Sequence, residues 1–458
     1  MRKTSFAGVS IGLLVISLFV SVIAIRASTE EEYKLKESLQ SPEPDSDAQF
    51  GSSVAISGDI LVISEIKGKI EDKTAGKSHL FDSDGSLLAT MQSPEPSTLF
   101  SDSVSVSGDT VVLGEWGYNV GDEVGAGRAY IFGSDGNLQT TIQSPVIKRR
   151  GKFGWSVAVS GGTVVVGEIN AMVEGIIGAG RAYIFDSHGN LESTLQSPKP
   201  GYSASFGISV AADGDKIVVG EVYAQYEGLI PVGPGSVYVF DSEGNLLTTL
   251  KSPEPEASGI FGWSAAISED IVVVGDSFTE VNGNTKAGRA YIFDTDGNLL
   301  TTLQAPAPEE NAEFGNAVTI SGDTVVVGES KADVETFSEG RAYVFDLNGN
   351  LLATLQSPTP EAAACFGYSV AVSGDTITVG EPNAKVDGKV KAGRAYIFSL
   401  GLGAEPEAKP EPDAVTTETK PVAEEKKPSG GIPGFPYESI TIGLVTGAFV
   451  LWLLGRKQ

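Results

Sequence analysis

The chain of 458 residues is longer than one ordinary domain and within reach of a single repeat array. It carries 59 acidic against 32 basic residues, a formal net charge of −27, and that acidic field argues against nucleic acid as a partner and against anionic lipid as the main one. Its 56 glycines and recurrent Val, Ile and Thr point to an all-β chain with many tight turns, and its single cysteine, Cys365, excludes an intramolecular disulfide.

The chain opens with MRK, an apolar run from Ile11 to Ile25, and ASTEEE. That layout is expected of a secretory signal peptide over residues 1–27, with cleavage after Ala24 or Ala27; an uncleaved signal anchor is the alternative. Next comes YKLKESLQSPEP, Tyr33 to Pro44, a strand-like run and a Pro-punctuated turn. Later near-copies of it always follow a preamble, as in AGRAYIFDTDGNLLTTLQAPAP, Ala287 to Pro308.

From there a unit recurs. Its anchors are Phe50, Phe100, Phe153, Phe206, Phe261, Phe314 and Phe366, spaced 50 to 55 residues apart. A period of that size is that of a propeller, whose blade is four antiparallel strands. In the third copy the strands are FGWSVAVS (Phe153 to Ser160), TVVVGE (Thr163 to Glu168), GRAYIFD (Gly180 to Asp186) and LESTL (Leu191 to Leu195). The unbroken apolar run of the second strand fits blades packed face to face, which bury both sides of their middle strands. The small residues of the first strand suit the wall of a central channel. Copy seven ends after its third strand, at Phe398, and Lys34 to Leu39 supplies the missing fourth. The expectation is a seven-bladed propeller over residues 33–400, closed by its N-terminal strand, which removes the last free sheet edge. An open stack of sheets, the alternative, gives no reason for a split copy.

Beyond the repeats, residues 404–431 are rich in Pro, Glu, Lys and Thr and nearly free of large apolar side chains, so they read as a stalk-like linker. Residues 436–454 are almost free of charge and are followed by Arg456 and Lys457, as in a transmembrane helix with a basic stop; a buried core helix is the alternative. Basic residues outside both apolar runs place the termini in the cytoplasm and the repeats outside the cell.

The repeat unit, carried by FGWSVAVSGGTVVVGE and by FGYSVAVSGDTITVGEP at Phe366 to Pro382, resembles the FG-GAP repeat of the integrin α-chain propeller. The end of the chain, with Pro433, Gly434 and Phe435 before the apolar run, is similar to archaeal surface-sorting tails. The first resemblance implies a propeller, says little of function, and implies calcium in a long Asp-rich loop between the first two strands. Here that connection is only SGDT, as at Ser107 to Thr110, too tight for six to eight oxygen ligands. The other candidate is the Asp-x-Asp-Gly turn between strands three and four, at Asp82 and Asp84 or Asp294 and Asp296. It lacks a closing acid, and other copies place Gly133, His188 or Asn348 at the acidic positions. Hairpin chemistry accounts for what recurs, and no cofactor is expected, calcium in these turns being the alternative.

An acid closes the second strand of every copy: Glu65, Glu115, Glu168, Glu221, Asp276, Glu329 and Glu381. A base opens the third strand in six copies, and copy four has Ser236 instead. The two positions face each other across antiparallel neighbours. The expected structural ion pairs include Glu115 with Arg128, Glu168 with Arg181, Glu329 with Arg341 and Glu381 with Arg394; the competing reading is a carboxylate ring for a cation or basic ligand.

The long variable connections, from strand four to one and from two to three, belong to one face of a propeller, where a rigid scaffold displays loops for binding. Candidate ligand contacts are Trp116 and Tyr118, the basic cluster Lys148, Arg149, Arg150 and Lys152, and Tyr223 and Tyr226 in the longest loop; packing within the loops or between blades is the competing reading. With two histidines, no nucleophile elbow and no phosphate loop, an enzyme is not expected. The reading is a membrane-tethered extracellular adhesion module for a protein or glycan ligand, the alternatives being a structural envelope coat and, further off, a propeller-based hydrolase or lyase.

Overall fold

A computed structural model describes residues 33–401 apart from 71–72, 96–99, 223–225, 228–229, 232–234 and 256–258. The expected signal peptide, linker and transmembrane helix lie outside the described residues. Seven four-stranded antiparallel sheets follow one another along the chain. Their first strands contact each other in a closed cycle, from Phe50–Ser57 of blade one round to Ser369–Ser373 of blade seven and back. This is a seven-bladed, all-β propeller.

Each blade is graded from inside to outside by its side chains. First strands such as Phe153–Ser160 are buried throughout, and second strands such as Thr163–Glu168 are buried past their first residue. Outer strands such as Leu191–Leu195 bury only their last side chain. The anchor Phe of each blade is fully buried, and in blade three Phe153 meets Tyr183 and Phe185 of the third strand at centroid distances of 5.7 and 6.0 Å. Such pairs contribute about 0.5–1.5 kcal/mol beyond their burial.

The closing strand β1 (Tyr33–Leu39) pairs antiparallel with Arg394–Leu400, in register from Tyr33 opposite Leu400 to Leu39 opposite Ala395, with a bulge at Leu35/Glu37. Lys36 of β1 reaches Asp84 in the turn of blade one at 2.8 Å, so the clasp also ties blade seven to blade one. Across every junction the SGD turns are stitched together. Ser57 accepts the Gly108 N–H at 3.2 Å, Ser107 that of Gly161 at 3.3 Å, and Ser373 that of Gly58 at 3.1 Å. Asp213 takes the serine's place in blade four.

On the opposite face the loops entering blades one, three, four, six and seven dock on the long loop of the blade before. The Arg150 N–H donates to the Val124 carbonyl at 2.8 Å, Ser203 to Ile177 at 3.0 Å and Ala363 to Phe337 at 2.8 Å. This loop face carries the variable sequence. Both the N-terminal end of β1 and the end of its partner, Leu400, lie on the other face, because third strands run away from the loops.

Candidate ligand-binding site

The acids that end the second strands are the natural candidates for chemistry. All are buried. Register places Glu168 opposite Arg181 and Glu381 opposite Arg394. Their side chains pair otherwise. Tyr183, two residues beyond Arg181 and on the same side of the strand, donates its hydroxyl to Glu168 at 2.7 Å, and Ser144 donates to the same oxygen at 2.9 Å. Tyr238 and Ser197 hold Glu221 at 2.6 and 3.1 Å; Tyr343 holds Glu329 at 2.7 Å, and Tyr396 holds Glu381 at 2.6 Å. In blade one His79 stands where the Tyr would be and lies 2.7 Å from Glu65.

The bases turn outward to the loop acids: Lys77 to Glu43 at 3.1 Å, Arg341 to Glu309 at 2.8 Å, Arg394 to Glu361 at 2.9 Å, and Arg289 to Glu254. Of the four expected pairs, Glu115–Arg128 lies at 3.2 Å and Glu329–Arg341 at 3.8 Å. Glu168–Arg181 and Glu381–Arg394 make no ion pair among the described residues, and Arg181 Nε finds no hydrogen-bond partner there. The second oxygen of Glu221, Glu329 and Glu381 is likewise unpartnered. Burial without a full set of donors pushes these three carboxyls up to about 7, and raises Glu168 as well.

Four of the Asp-x-x-Gly turns, those opened by Asp186, Asp241, Asp294 and Asp346, are saturated from within, whereas in the turn of Asp82 only Oδ1 accepts among the described residues, from the Asp84 and Ser86 N–H groups. Asp186 Oδ1 accepts the N–H groups of His188 and Asn190 at 2.9 and 2.8 Å, and Oδ2 accepts the Asn190 side chain at 2.7 Å. Asp241, Asp294 and Asp346 repeat the pattern with Asn245, Asn298 and Asn350. These donors hold the Asp241 and Asp294 carboxyls below their ordinary range.

The basic loop divides. Lys148, Arg149 and Arg150 are exposed and form no ion pair among the described residues. Lys152 turns inward, with Nζ 5.0 Å from the Trp116 ring centroid and 4.7 Å from that of Trp155, and burial brings its ammonium down to about 8. The reason is position: Lys152 precedes the buried anchor Phe153. The Trp116 indole N–H donates to buried Asp102 at 2.7 Å, and the two Trp rings meet in a tilted contact at 5.3 Å. Around them Trp155, Ile169, Ile208, Val222 and Ile260 form a cluster against which Trp116, Trp263 and Phe278 pack. Tyr118 is held by its neighbours, with its hydroxyl on Glu95 of the loop that enters blade two and the Arg128 guanidinium 3.2 Å from its ring centroid. Tyr223 lies outside the described residues; of Tyr226 only the backbone is described, paired with Pro231.

Asp102, Trp155, Trp263 and Phe278 were not singled out by sequence reasoning. One signal was available: the residue after Phe-Gly is Trp in copies three and five.

Five segments, residues 36–81, 148–185, 248–293, 300–345 and 353–398, match the FG-GAP repeat. The chain is therefore a seven-bladed β-propeller that carries FG-GAP repeats. No curated protein matches it. The matched segment 36–81 begins inside β1 and ends on the third strand of blade one, so the repeat runs across the blade boundary, as the closure does.

Proposed function

We propose that the protein is a non-enzymatic, surface-displayed binding module whose loop face grips an acidic partner, with the arc around the loop 143–152 as the site. One observation carries this. The strand-base cations Lys77, Arg128, Arg289, Arg341 and Arg394 each reach a loop carboxylate, whereas Lys148, Arg149 and Arg150 stand exposed together in a strongly acidic protein. Self-repulsion among adjacent cations favours an acidic counterpart. The strand-end carboxylates, being buried on Tyr and Ser hydroxyls, are structural rather than catalytic. Residues 1–27 and 436–454 have the composition of a signal and a membrane span, and Pro433-Gly434-Phe435 that of a sorting motif, which supports tethering at the outer face of the cell membrane. Leu400 leaves the propeller on the side away from the loops, so such a tether would leave the loop face free.

The test is a screen of glycans and acidic peptides with the protein and with a Lys148→Ser, Arg149→Ser, Arg150→Ser variant. The variant is expected to bind at least about tenfold more weakly and with a flatter salt dependence, its melting curve unchanged. Equal binding by parent and variant would remove the site from this loop. The outer strands favour a second reading, a lateral coat, because leucines such as Leu88, Leu247 and Leu300 are exposed there on several blades. Ordered arrays on electron micrographs would select it.

A further inference from the structure

The loop face carries two patches of opposite charge. Its basic arc sets Lys148, Arg149 and Arg150 beside exposed Val124, Ile177 and Tyr202. Across the ring, the long loop of blade six raises Asp333 to Phe337, sequence DVETF. Phe337 is 72% exposed, more than any other large apolar side chain among the described residues, and Asp333 and Glu335 beside it are exposed as well. An aromatic ring so placed gains from burial only when a partner supplies it.

The two arcs lie at one level. Phe337, Val124 and Ile177 occupy the same place in the repeat: the carbonyl of each accepts the N–H of the loop entering the next blade, from Ala363, Arg150 and Ser203. These backbone positions are therefore equivalent around the rim, and a flat partner would meet both arcs at once.

We propose that the loop face binds a second copy of this chain, face to face about a two-fold axis. The acidic Asp333–Phe337 knob of each copy then meets the basic, apolar arc of the other. In an isologous contact a residue set that faces another is faced by it in return, so a single two-fold axis forms the complementary pairing twice. Phe337 is the apolar anchor, and the opposed charges set the register. This deepens the reading of the loop face as a binding surface by naming its partner. It also gives the face a role in homophilic adhesion, because the chain leaves blade seven on the opposite side.

The test is sedimentation velocity on the full chain in mild detergent, from about 1 to about 100 μM. The parent is expected to pass from monomer to dimer over this range. A Lys148→Glu, Arg149→Glu, Arg150→Glu variant and an Asp333→Lys, Glu335→Lys variant should each dimerise at least about tenfold more weakly. Mixed in equal amounts, they should recover the dimer as a heterodimer, because both altered arcs are again complementary. Phe337→Ser should weaken the dimer with the melting curve intact. A parent that stays monomeric, a dimer that none of these variants moves, or a mixture that stays monomeric overturns the proposal. If the parent stays monomeric yet captures an acidic glycan or peptide through Lys148, Arg149 and Arg150, self-pairing falls and the loop-face reading stands.

Discussion

A Cβ built on Gly207 would lie 2.5 Å from the Arg181 carbonyl oxygen, with backbone at φ +87. Gly161, in an SGD-type turn, has φ +53 and nothing within 4 Å of such a Cβ. Both substitutions to Ala carry backbone strain, and only the first adds a clash with the backbone of the neighbouring blade. Gly207→Ala is expected to lose about 3–5 kcal/mol and Gly161→Ala about 1 kcal/mol, read by urea unfolding. Similar losses would show that blade contacts yield freely at the Phe-Gly step. Ser101 stands after the anchor of copy two, where the other six copies have Gly; it holds φ 63 and donates its hydroxyl to the Lys77 carbonyl at 2.9 Å, so the added atom bonds to the oxygen a carbon would meet. The Phe-Gly step was legible because it repeats. The partners of the strand-end acids were only half legible. Facing positions do place Arg181 opposite Glu168, but Tyr183 shares that side of the strand and its rigid ring reaches the buried carboxylate, while the long Arg can leave for the loops. Likewise four adjacent cations look equivalent in a loop sequence, and only the packing of Trp116 and Trp155 separates Lys152 from the rest.

At the scale of the strand, β1 has exposed side chains over most of its length, and its contribution is the ladder it completes. Without it Arg394–Leu400 becomes a bare edge open to intermolecular pairing. Deleting residues 33–39 is expected to lower the melting temperature by roughly 10 °C or more and to start aggregation in light scattering; an unchanged curve would show the ring closed by other contacts. This element was legible because copy seven visibly lacked a fourth strand. The turns make the opposite kind of prediction. Both oxygens of Asp186, Asp241, Asp294 and Asp346 already accept donors of their own turn, and calcium would have to displace them. Thermal unfolding in chelator and in millimolar calcium should therefore coincide, and a large upward shift with the ion would reveal a site elsewhere.

Across the whole molecule the buried carboxyls act together. Glu221, Glu329 and Glu381 are pushed up to about 7, against about 4.3 for an unfolded Glu. A raised folded-state value means that the native protein holds protons the unfolded chain releases. Its stability contribution is complete below about pH 4 and is lost as pH rises through about 7, on the order of 1–3 kcal/mol for each carboxyl. The melting temperature should accordingly fall between pH 5 and pH 8 in calorimetry, and Glu221→Gln should flatten part of that fall, since Ser236 opposite it brings no cation. A profile that rises over this interval would refute the assignment. The closure has a mechanical consequence too. Because β1 covers the last strand of the chain's propeller, Arg394–Leu400 is a middle strand, bonded to Thr376–Glu381 on one side and to β1 on the other. Tension applied beyond Leu400 while the loops are gripped pulls along that strand, so the hydrogen bonds of two ladders share the force in shear. A propeller closed instead by its own final strand would present an edge there and peel open one bond at a time.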